Sequence, residues 1–325
     1  MLTAQKAAAV KSVAPQILVA SFLARCAKVA LARNGHAAEV TAEKPLDSKN
    51  LGGRGDRDDI LHRAKLALNG QRPQEALRFA EEVLKTDPRH GQASHIFGAA
   101  LLMLSRVPDA IAPLENAARE LRNAETDTLL AIALRQAGRN EDARSRLKRA
   151  IKRRPPYPAA FHELGYLLFS LEQYDEAIDA LREGLEIAPM MPELSIQLGY
   201  VFLQQRNCAE AKGAFARALE ISPDSADALS GMARAHLEIG ENELAAGYFR
   251  RHLRQRPDNI GAWMNLGHCL LELGQIDAGY DCFRTVARTD LANYGKALSS
   301  LAAAARGRIW LKPSAAERFL RGGKN

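Results

Sequence analysis

The chain has 325 residues, 47% of them hydrophobic and 26% charged, with a formal net charge of +7. That is ample for a sizeable core, and no apolar run reaches the roughly 18 residues of a membrane-spanning helix. The four cysteines (Cys26, Cys208, Cys269, Cys282) have no CxxC spacing and no matching His pair, which argues against a zinc site or disulfide framework and for free thiols.

The first 50 residues carry seven Lys/Arg and three acids, and residues 1–38 carry no acid at all. "APQILVASFLA" (14–24) is apolar, but Arg25, Cys26 and Lys28 follow at once, which is wrong for an exported leader. Three readings stay open: an amphipathic or capping helix that could lie on a membrane surface, a disordered extension, or a processed targeting segment. Residues 39–56 read as a polar linker. "NLGGRG" (50–55) follows no strand, so it is a linker and not a phosphate cradle.

From residue 57 a pattern recurs with a stride of 34. With Pro158 as position 1, Gly165 is position 8, Ala177 position 20, Leu181 position 24 and Pro189 position 32. The next period places Gly199, Ala211, Phe215 and Pro223 in those slots, and the next Ala233, Ala245, Phe249 and Pro257. Gly267, Gly279 and Phe283 follow, with Leu291 in place of proline. Backwards, the pattern covers 124–157 (Ala131, Ala143, Leu147), 91–123 (Gly98, Ala110, Leu114, one residue short) and 57–90 (Ala64, Ala76, Pro88).

Small residues at positions 8 and 20 let two helices approach closely, and the larger ones at 7 and 24 are expected to fill the seam between repeats. Proline at 32 stops the second helix without costing a needed hydrogen bond. This pattern resembles the tetratricopeptide repeat family. Trp263 supplies the family's position-4 tryptophan, while Asp127, Ser195 and Leu229 depart from it. The implied fold is all-α, a right-handed α-solenoid of about seven helix–turn–helix repeats (57–90, 91–123, 124–157, 158–191, 192–225, 226–259, 260–293) with helical segments at both ends.

The resemblance further implies a concave groove lined by positions 2, 5, 6, 9, 12 and 13 of the first helices. His162, Tyr166, Phe169, Tyr200, Gln204, Arg234, Met264, Asn265 and His268 are the candidate groove residues. Tyr, Arg and Met are common anchors at interfaces, so a protein partner, a peptide segment or helix, is expected. The family's carboxylate clamp for an acidic chaperone tail is not reproduced. Only Asn265 occupies a clamp slot, with Ser230 and Arg234 where Lys and Asn would stand.

No catalytic motif, cofactor site or metal site emerges, so the expected activity is a non-enzymatic scaffold or adaptor. The alternative is a substrate-recruiting subunit or module of a transferase. His162 and Glu163 are adjacent, and helical neighbours diverge by about 100°, so they are not expected to face one another. Cys269 and Cys282, at positions 10 and 23, read as core fillers, with a redox pair as the alternative. "RLKRAIKRRPP" (146–156) places cations at a helix end, where they favour the dipole, or where they meet an acidic partner or phosphate.

The basicity sits at the ends: residues 51–305 hold 32 basic and 34 acidic residues, which disfavours nucleic acid as a partner. A degenerate eighth helix is expected from Tyr294. Ser314 and Glu317 form a capping box for a terminal helix at about 314–321 that would cover the last seam. The expected location is cytoplasmic, or membrane-associated or targeted through the N-terminal segment, and self-association stays open.

Overall fold

The computed structural model describes residues 54–289 together with 293, 295–297 and 299. The basic N-terminal segment and the helix expected at 314–321 lie outside the described residues. Fourteen helices run from Arg54 to Ala287, and among the described residues there is no strand. The chain divides into two compact units, one ending at Leu167 and one beginning at Leu168.

The first unit contains the pairs α1 (Arg54–Asn69) and α2 (Pro73–Thr86), α3 (Gly91–Met103) and α4 (Val107–Leu121), and α5 (Ala124–Gln136) and α6 (Asn140–Ala150). Most of α7 (Pro158–Ser170) completes it. The second holds α8 (Tyr174–Ile187), then α9 (Pro192–Gln204) with α10 (Cys208–Ile221), α11 (Ala226–Glu238) with α12 (Asn242–Gln255), and α13 (Ile260–Glu272) with α14 (Ile276–Ala287). Within each unit a helix packs on its hairpin partner and on the next hairpin. First helices also touch one another, α1 with α3, α3 with α5, and α9 with α11. The architecture is an α-solenoid of helix–turn–helix repeats.

The small slots are closed to solvent. Ala64, Ala76, Ala110, Ala131, Ala143, Ala177, Ala211, Ala233 and Ala245 are all fully buried. At Gly279 an added Cβ would lie 3.1 Å from the carbonyl oxygen of Gly267, so positions 8 and 20 do meet across the hairpin. Position 24 differs from the sequence expectation. Leu114, Phe215 and Phe283 lie over Gly98, Gly199 and Gly267 of their own repeats, inside the hairpin and not only in the seam. The ring of Phe215 serves both, because it also fills the space over Gly231 of the following repeat. A missing side chain at position 8 thus makes room for a large one at position 24.

A second feature keeps the same stride. The residue at position 15 is left-handed in every repeat: Gln71, Ser105, Gly138, Glu172, Arg206, Gly240 and Gly274, with φ between 56° and 80°. The next N–H reaches five residues back to the first helix, as from Arg139 to Leu134 at 2.8 Å and from Asn207 to Phe202 at 2.9 Å. This is the Schellman closure, which satisfies carbonyls that a helix end leaves unpaired. At the far end of the described chain, residues 293, 295–297 and 299 are helical. Ala297 packs there with Leu271, Tyr280, Phe283 and Val286.

Candidate functional site

The first-helix face is built by the 3.6-residue period, which brings positions 2, 5, 6, 9, 12 and 13 to one side of each helix. In the first unit this face centres on Arg135 of α5. Its guanidinium lies 4.6 Å from the ring centroid of Tyr166 and 3.3 Å from Glu163 Oε2, both on α7. His162 is buried at 6% exposure, so its ring is part of the packing and offers little to a partner.

Contrary to the sequence expectation, His162 Nδ1 and Glu163 Oε1 approach to 3.8 Å. One carboxylate oxygen of Glu163 faces Arg135 and the other faces His162. Burial alone would raise the Glu163 carboxyl, but the neighbouring His162 ring and the Arg135 charge together hold it below the usual carboxylate value. The group is a buried anion held beside the Arg135 cation, not a poised base.

In the second unit Tyr200 and Arg234, at position 9 of successive repeats, stack with 5.7 Å between guanidinium carbon and ring centroid. The Tyr200 hydroxyl donates to the Asp227 carbonyl at 3.0 Å, and its ring meets Phe215 edge-on at 5.2 Å. Burial pushes that hydroxyl up to about 12 against the pull of Arg234, so it stays a donor at neutral pH. Asp227 in turn lies 3.7 Å from Arg256.

His268 is half-buried, edge-on to Phe283 at 5.2 Å, and burial lowers its pKa despite Glu272. Met264 packs against the cluster of Leu271, Tyr280 and Phe283, and Phe169 leans on Tyr174 with centroids 5.9 Å apart. Gln204 and Asn265 are half-buried. The candidate anchors therefore serve the fold with one side and face outward with the other. Sequence reasoning missed Arg135, although it stands at position 12, one of the slots already assigned to the groove.

The cation run of 146–156 converges on one carboxylate. Asp127, at position 4 of α5, has no exposed surface. Arg149 bonds to both of its oxygens, Arg153 Nε donates to Oδ2 at 2.7 Å, and Arg146 stands 3.8 Å away. The departure from tryptophan at this slot is an ionic substitute for an apolar plug. Ser195, another departure, is fully buried in α9.

Cys269 and Cys282 are buried free thiols, and burial pushes both up to about 11. They fit core fillers, since the thiolate is the reactive form. Iodoacetamide at pH 8 should label half-buried Cys208 in the native protein and spare Cys269 and Cys282 until denaturant is added; peptide mass mapping checks this. Among the described residues no helix is long and apolar enough to cross a membrane, and no cluster of three His, Cys, Asp or Glu could hold a metal ion.

The tetratricopeptide repeat family matches residues 61–126, 128–192, 196–260 and 260–293. The chain belongs to that family. No significant match to a curated protein is found. Among solved structures the repeat protein is similar to the APC/C hetero-tetramer Cut9–Hcn1, with TM-score 0.60 and 20% identity over 66% of this chain and 43% of that one. It thus spans less than half the length of that relative.

PilF of Pseudomonas aeruginosa matches with TM-score 0.56 and 20% identity over 63% of this chain and 95% of that one. The human IFIT1 dimer with m7Gppp-AAAA matches with TM-score 0.59 and 18% identity over 76% of this chain and 62% of that one. At these identities the likeness concerns the fold alone.

Proposed function

We propose that this repeat protein is a non-enzymatic scaffold or adaptor that holds a peptide segment or helix of a protein partner on the first-helix face. The observation that carries the reading is the Tyr200–Arg234 stack, where one repeat fixes the side chain of the next. A guanidinium held over a ring has lost rotamer freedom before any partner arrives, so less entropy is lost on binding. Half-burial of Gln204, Met264, Asn265 and His268 beside it gives the mixture of apolar and polar groups that interface cores use. The Cut9–Hcn1 assembly shares the fold and joins two different proteins, which is in keeping with this role.

The test separates binding from folding. Tyr200 also packs on Phe215, so its removal would confound the result, whereas Gln204, Arg234 and Asn265 are spared by the core. A photo-crosslinking residue at Ser230 should trap a protein partner in the native host, and Gln204→Ala/Arg234→Ala/Asn265→Ala should abolish that adduct with helicity and melting unchanged. Persistence of the adduct in the triple variant, or equal trapping from Glu183 on the exposed side of α8, would refute the assignment.

A further inference from the structure

A separate polar feature lies among the second helices of the first unit. The C-terminal ends of α4 and α6 flank an open cleft of about 810 Å³ whose lining includes Arg119, Arg122, Arg146, Arg149, Arg153 and Glu120. The links that follow these two ends are unusual. Only Arg122 and Asn123 separate α4 from α5, where the repeat is one residue short, while seven residues separate α6 from α7. Arg122 is left-handed at φ 48°, and it is the one such residue of the described chain outside position 15.

Charge decides what the cleft can do. Three of its arginines share Asp127, which lies fully buried beside them. Five guanidiniums against the carboxylates of Glu120 and Asp127 leave three net positive charges. Each helix C-terminus offsets about half a charge, so the cleft stays cationic by about two. Dipole compensation therefore does not exhaust the arginines. Asp127 holds Arg149 by two bonds but fixes the Arg153 fork without consuming it, since Arg153 gives it only Nε and its two terminal nitrogens remain available. Arg119 and Arg122 make no ion pair among the described residues.

The geometry points to this cleft as a binding site for a phosphorylated side chain on a protein segment. Planar forks match the oxygens of a phosphoryl group, and several converging arginines give the charge-assisted bonds such a dianion needs. An extended polyanion fits less well. Over residues 51–305 the 34 acids outnumber the 32 bases, so the net charge of the array adds no attraction for a polyanion beyond the cleft. No aromatic ring stands in its lining to stack a base.

Fluorescence anisotropy of a dye-labelled Ala-Gly-phosphoSer-Gly-Ala peptide with the full chain tests the proposal. Saturable binding is expected, with competition by inorganic phosphate and none by the unphosphorylated peptide. Arg119→Gln/Arg122→Asn should weaken it at least tenfold at unchanged melting temperature, because neither residue supports Asp127 and asparagine tolerates a left-handed backbone. Three results would each overturn the proposal: no saturable binding at millimolar protein; equal affinity in the double variant; or tighter retention of a 5′-phosphorylated single-stranded RNA or of phosphatidylserine vesicles than of the phosphopeptide.

Discussion

Gly231→Ala should destabilise the second unit by about 1–3 kcal/mol, the usual cost of forcing one methyl into a filled core. A Cβ at this site would lie 2.2 Å from Phe215 Cε1 and 2.3 Å from Cζ. The ring has no room to retreat. On its other side an added Cβ at Gly199 would already stand 2.7 Å away, and the edge-on Tyr200 ring closes a third direction.

Helix propensity pulls the opposite way, since alanine gains about 0.5–1 kcal/mol over glycine inside a helix. The sign of the measured change therefore identifies the winning effect. Gly213 and Gly247 provide the control, because a Cβ at either meets nothing within 4 Å, so alanine there should stabilise. Urea unfolding followed by circular dichroism gives all three values. Phe215→Leu in the Gly231→Ala background should cost less than the two changes summed, as the clash and the cavity cancel. A Gly231→Ala protein as stable as its parent would contradict the packing described for Phe215.

Much of this was readable from residue volume. Small side chains at positions 8 and 20 recur because two helix axes cannot approach otherwise, and that constraint leaves a mark in every repeat. The turn at position 15 left a fainter mark. Gln71, Ser105, Glu172 and Arg206 occupy it without glycine, because the hydrogen bond closing the helix end holds them there at a local cost. The anchors of the candidate face were legible as residue types and positions, but not as participants in the fold. Nothing in the sequence says that Tyr200 binds the carbonyl of Asp227, or that His162 is buried. Asp127 stood out only as an exception. Its arginines lie 22 and 26 residues further on, a separation that neither helical nor strand periodicity flags.

That exception gives the other large expected effect. Arg149→Met/Arg153→Met should destabilise the first unit by about 3 kcal/mol, the lower end for stranding a buried charge. The lower end applies because Arg149 is 47% exposed, so solvent already screens part of its attraction, while Arg146 remains nearby. If the cost comes from the stranded carboxylate, removing the carboxylate should remove it. Asp127→Leu added to the double variant should then recover most of the loss, since Leu229, the residue at this position three repeats later, is fully buried without ionic help.

The unfolding must be read locally, because neighbouring repeats in such an array need not melt together. Hydrogen exchange over α5 and α6 should show protection lost in the double variant and regained in the triple. Were the double variant as stable as the parent, the arginines would not be what keeps Asp127 buried. Were the triple variant no better than the double, the loss would come from their aliphatic stems and not from their charge.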